Sequence, residues 1–127
     1  MAADLAKLLR ILRLEQAELG VLFVGERAIR ALNHRYRRKD SATDVLSFPL
    51  RGGPFPHVQH DALGDIVISV PVADRQAAIA GQTLRSELRR LLIHGLLHLV
   101  GYDHELGPRE ARRMERRERE LLGKVGA

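Results

Sequence analysis

The alternation of apolar and polar positions predicts a chain of alternating helices and strands. Leu5, Leu8, Leu9 and Leu12 recur at helical spacing, with Ile11 beside them, and predict a helix over residues 2–15. Gly20 interrupts that pattern, and Leu19 to Val24 reads as a short buried strand rich in Val and Phe. Ala28, Ile29, Leu32 and Tyr36 restore the helical period over about 26–36. After the polar loop "KDSATD", the stretch "DVLSFPL" predicts a strand ended by Pro49. A Gly/Pro-rich loop, "RGGPFPHVQHDA", leads to "LGDIVISV", where Ile66, Ile68 and Val70 alternate against Val67 and Ser69 as in a strand. Pro71 opens a short helix over 71–80. Thr83 can cap a long helix from Leu84 to Val100, with Glu87 near the place that completes a capping box. A final helix spans about 108–122, again with a proline at its start. No repeat or linker interrupts this order, so the expectation is one α+β domain over residues 1–127.

Composition narrows the classes. A chain of 127 residues suits a single core, and with few aromatics that core must come from Leu, Val, Ile and Ala. The absence of cysteine excludes disulfides and thiolate metal sites and fits a cytoplasmic protein. No apolar run approaches the roughly 20 residues of a membrane span, and the N-terminus lacks the apolar stretch of a secretory signal, so no membrane partner is expected. The net charge of +5 comes mostly from arginine, whose planar fork suits phosphate and raises the expectation of a polyanionic partner. Arginine-rich surfaces also accompany GC-rich genomes and heat stability.

The candidate chemistry lies in "LLIHGLLHLVGYDHE", residues 91–105. His94 and His98, four apart on a helix, share one face. His104 could not join them if the helix continued. Gly101 can take the left-handed conformation that ends a helix and turns the chain back. Three neutral imidazoles then suit zinc and leave a fourth position open, although Ni, Co, Cu and Fe also accept imidazole. A lone histidine on an apolar helix face is commonly a satisfied core residue, but three around a helix-ending glycine favour a metal. Zinc proteases of the His-Glu-x-x-His type place a general base directly after the first histidine, where this chain has Gly95. The metal would therefore carry much of the activation. Asp103 could orient an imidazole or accept a proton, and is equally suited to capping the following turn.

These residues resemble the signature of the YbeY family of bacterial metal-dependent endoribonucleases, which act as ribosomal RNA maturation factors. "HGLLHLVGYDH" carries the likeness, joined by "LNHRYRRKDSATDVLSFP" (32–49) and "LGDIVIS" (63–69) in the family's order. The resemblance implies a small mixed β-sheet with helices packed around it and a metal site on a long central helix. It implies zinc held by His94, His98 and His104, with Arg37 as the functional arginine of the cleft. It further implies cleavage of single-stranded RNA, 16S rRNA 3′-end maturation, and quality control of the small ribosomal subunit alongside its assembly factors. Thr43, Asp44, Ser47 and Asp65 become cleft or partner-contact candidates; without the resemblance they are turn and strand-end residues. Two departures stand out. Family members usually begin with a strand before the first helix, so either the sheet lacks an edge strand or this sequence starts late. Arg38 stands where many members have glycine.

The charge pattern bears on the substrate. Arg30, Arg35, Arg37, Arg38 and Lys39 cluster with Tyr36 among them, a cationic stretch with an aromatic for base stacking. Some of these cations would also be favoured simply by the helix C-terminus. Along "REARRMERRERE" (109–120), Arg and Glu alternate at helical distances, which predicts mutual surface pairing. His34, His57 and His60 are expected as surface or loop residues. An assembly factor with a mainly structural metal and a metallopeptidase are the competing functions, and the nucleophile, water or an RNA 2′-OH, stays open.

Overall fold

A computed structural model describes residues 1–50 and 62–126. The elements run α1 (Ala2–Ile11), β1 (Glu18–Val24), α2 (Glu26–Arg37), β2 (Val45–Pro49), β3 (Ala62–Ser69), α3 (Val70–Ala80), α4 (Leu84–Leu99), a 3₁₀ turn (His104–Leu106) and α5 (Pro108–Gly126). The Gly/Pro stretch 51–61, with His57 and His60, lies outside the described residues. The expected α+β class is what forms. The sheet is mixed, with β3 in the middle, parallel to β1 and antiparallel to β2.

The position of β3 changes how its sequence reads. The alternation suggested one apolar face, yet Ile66, Val67 and Ile68 are all buried. Ile66 and Ile68 join Leu91, Leu92 and Leu96 of α4 in the main core, while Val67 meets Ile29 of α2 and Leu46 of β2 on the other side. A central strand covered on both faces has no solvent side to mark with polar residues. The expectation of a buried β1 is corrected: it is an edge strand, with Leu22 and Phe23 about half exposed.

Helix α1 ends at Ile11, earlier than the predicted residue 15, where Leu12 caps it and Arg13 turns at φ 58°. Leu12 and Leu14 still pack on the core, so the apolar spacing outlives the helix while the chain turns toward β1. Thr83 caps α4 as expected, its Oγ1 accepting the Ser86 amide (3.1 Å). Glu87 does not close a capping box; it is buried and pairs with Arg90 instead.

Helix α4 lies against the sheet at Gly95. A Cβ there would stand 2.9 Å from Ile66 Cγ2 and 3.1 Å from Ser47 Oγ. Ser47 Oγ donates to the Gly95 carbonyl (3.0 Å), fastening β2 to the helix at this crossing. Gly95→Ala is expected to destabilise the protein by about 1–2 kcal/mol, because crowding outweighs the roughly 1 kcal/mol that alanine offers a helix. Urea unfolding measures it, and unchanged or increased stability would contradict the close approach.

Candidate metal centre

The long helix presents His94 and His98 one turn apart, both half-buried. Its end is built by the glycine picked out in the sequence. Gly101 has φ +108°, its amide donates to the His98 carbonyl (3.1 Å), and the Tyr102 amide reaches back to Leu97 O (3.0 Å). This pair of bonds is the Schellman arrangement, which reverses the chain just past a helix. The reversal brings His104 back over the helix. The ring centroids of the three histidines lie 5.1–5.2 Å apart in every pair. One nitrogen from each lies within 4.8 Å of the others, and His98 Nε2 is 3.1 Å from His104 Nδ1.

The 3.1 Å between His98 and His104 fits a shared ion, and His94 lies close enough to join them. Zinc–nitrogen bonds of about 2.0–2.1 Å in a tetrahedron hold two nitrogens roughly 3.3 Å apart. Burial lowers the pKa of His98, and the neighbouring His94 and His104 lower it further, against opposing pulls from Asp103 and Glu105. A depressed pKa favours the neutral imidazole, whose lone pair a metal requires.

His94 has a partner that the sequence reading assigned elsewhere. Its Nδ1 lies 3.4 Å from Glu118 Oε1 of α5. A carboxylate at Nδ1 holds the proton there and leaves Nε2 free on the other side of the ring. The arginine–glutamate run does pair across the surface at Arg113–Glu110, Arg117–Glu120 and Lys124–Glu120. Glu118 is the correction to that pattern. It falls four residues after Met114 and three before Leu121, both fully buried, so the helical register placed it on the inward stripe.

A cleft of about 720 Å³ opens beside the histidines, lined also by Tyr36, Arg37 and Glu105. Arg37 ends α2 and pairs with Glu105 (2.8 Å), which joins α2 to the turn that carries His104. The Arg37 guanidinium holds the Glu105 carboxyl below its usual range. Nothing local in the sequence signals this pair, whose members are 68 residues apart. Asp103 also borders the cleft, and its Oδ1 accepts the Glu105 amide (2.9 Å), the turn-capping contact. Thr43, Asp44 and Ser47 line the cleft, whereas Asp65 does not; it lies over Gly20 across the sheet.

The remaining cationic candidates divide. Tyr36 lines the cleft, more than half exposed, its ring edge-on to Phe48 at 5.2 Å. The Arg35 guanidinium sits 5.4 Å from the Tyr36 ring centroid. Arg35, Arg38 and Lys39 are exposed and outside the cleft lining. His34 is exposed, as expected.

With this geometry the likeness to known proteins has a physical counterpart. The family described as Endoribonuclease YbeY matches residues 2–126. The chain belongs to the YbeY family. It is 52% identical over 119 residues to a protein named endoribonuclease YbeY from Myxococcus xanthus, covering 91% of this chain and 39% of that one. An Aquifex aeolicus protein of the same name is 45% identical, with 97% of this chain and 79% of that one covered. A Thermotoga maritima protein solved in solution superposes with a TM-score of 0.62 at 29% identity, over 97% of this chain and 81% of its own. The chain spans 39%, 57% and 65% of the length of three curated relatives. Among the described residues no helix is long and apolar enough to cross a membrane.

Two substitutions probe these contacts. Glu118→Gln is expected to leave the fold intact and shift His94 toward the Nε2-protonated tautomer, read from its ¹⁵N chemical shifts; unchanged shifts would remove the orienting role. Arg38 caps α2 in the left-handed region, at φ 58°, ψ 30°. Arg38→Gly is expected to stabilise the protein by up to about 1 kcal/mol, since the left-handed penalty for a side chain exceeds the entropy cost of glycine. Thermal unfolding checks the sign.

Proposed function

We propose that this chain is a metal-dependent endoribonuclease acting on single-stranded RNA. Its role is ribosomal RNA maturation, at the 16S 3′ end, and quality control of the small subunit with its assembly factors, in the cytoplasm. The observation that carries this reading is the convergence of His94, His98 and His104 in a cleft shared with Arg37, in a chain of the YbeY family.

His94, His98 and His104 would hold one ion, zinc in our assignment. Bound there, it would supply a Lewis acid with an open coordination position. The chain's own residues do the rest. Glu118 orients His94, and the turn capped by Asp103 carries His104 to its place. Arg37 presents a fork of donors that suits phosphate oxygens. It must share or release Glu105 to bind RNA, and an exposed pair of this kind exchanges readily. Tyr36, braced by Phe48, offers a ring face on which a base can stack. Arg35, Arg38 and Lys39 add positive charge beside the cleft and raise the local concentration of RNA.

Gly95 weighs against a peptidase. A side chain at that position would press into Ile66 and Ser47, so a base directly after His94 would require helix α4 to move off the sheet.

Elemental analysis joined to an RNA cleavage assay tests the proposal. Wild type is expected to carry bound metal and cut single-stranded RNA. His98→Ala is expected to lose both, while Arg37→Ala keeps the metal and loses about 10²–10³-fold in rate, the scale for removing one charge-stabilising donor. Equal activity from all three proteins would point to a contaminating nuclease and end this reading. Product termini identify the nucleophile: a 2′,3′-cyclic phosphate marks the 2′-OH, and a 3′-hydroxyl with a 5′-phosphate marks water.

A further inference from the structure

Helix α5 carries arginines of two kinds. Arg113 and Arg117 are paired, Arg113 with Glu110 and the Tyr102 ring, Arg117 with Glu120. Arg109, Arg112, Arg116 and Arg119 are exposed and make no ion pair or side-chain hydrogen bond among the described residues. They follow at i, i+3, i+7 and i+10, so they share one face of the helix. Met114, Leu121 and Val125 occupy the opposite, buried face. Glu115 borders the stripe without pairing to it.

Mutual pairing therefore accounts for the sides of α5 and leaves its outer face unexplained. Like charges three and four residues apart repel, so this face costs the helix stability rather than supporting it. A polyanion laid along it would remove the repulsion. The stripe is about 15 Å long, enough to meet several successive phosphates of one strand, and arginine matches phosphate through paired donors. In the cluster around Tyr36, by comparison, Arg37 is paired with Glu105.

We infer that the outer face of α5, formed by Arg109, Arg112, Arg116 and Arg119, is a second RNA-contacting surface that grips the phosphate backbone apart from the cleft. The inference rests on RNA being the substrate. Glu118 touches His94 from the inward side of the same helix, so the cleft and the stripe lie on different sides of α5. An RNA that engages both must pass around a helix about 10 Å across. A long RNA therefore feels both surfaces and a short oligonucleotide feels only the cleft.

The test changes Arg112, Arg116 and Arg119 together to Gln, in a His98→Ala background so that RNA is bound and not cut. Affinity for an unstructured oligoribonucleotide of about 30 nucleotides is followed against potassium chloride, since each phosphate contact on a single strand adds roughly 0.7 to the log–log salt slope. The slope is expected to become shallower by about 2, with binding weakened at least tenfold at low salt. The matching Arg→Lys triple, which keeps the charge, is expected to retain the slope. An unchanged slope in the Gln triple overturns the surface, whatever the nuclease assay gives. A shallower slope, found together with a wild type that cuts no RNA, keeps the surface and removes only the cleft assignment.

Discussion

The crossing of α4 over the sheet at Gly95 is the contact on which the site depends. Because no side chain stands between helix and strands, Ile66 and Ser47 touch the helix backbone directly. That contact fixes the rotation of α4 about its axis. With Gly95 turned to the sheet and Leu92 and Leu96 in the core, His94 and His98 must face the cleft. A helix free to roll would carry its histidines out of register with His104. The same tightness excludes a bulky acid after His94, so a requirement of packing removes a base that related-looking zinc sites possess.

Around that helix the site is closed by three separate devices. The Schellman turn at Gly101 returns the chain, and the Asp103 cap shapes the turn that follows. The Arg37–Glu105 pair then ties this turn to α2. Each device is modest alone, since caps and exposed ion pairs contribute little individually. Together they hold His104 near two imidazoles that would otherwise repel it when protonated. The burial that depresses the His98 pKa serves the same end, because neutral rings can approach where charged ones cannot.

Helix α5 serves the site from one side and solvent from the other. Its inward stripe delivers Met114 and Leu121 to the core and Glu118 to His94. Its flanks pair acid with base, and its outward face is left cationic. One amphipathic pattern thus carries core packing, a carboxylate against His94 and surface charge at once, which the pairing read from Arg/Glu spacing did not separate.

Features held within one stretch of chain were legible before any fold was known. The order of helices and strands, the Thr83 cap, the reversal at Gly101 and the His94, His98 and His104 spacing all depend on hydrogen bonds and side-chain directions among near neighbours. The edge position of β1, the double-sided burial of β3, the Glu118–His94 contact and the Arg37–Glu105 pair were decided only by tertiary structure. Each depends on which elements pack together, and an amphipathic period records that a face is covered without recording by what. The sequence determined that three imidazoles would meet. Packing decided which carboxylate orients one of them and which arginine stands across the cleft, because those partners are brought together only when α4 is seated on the sheet.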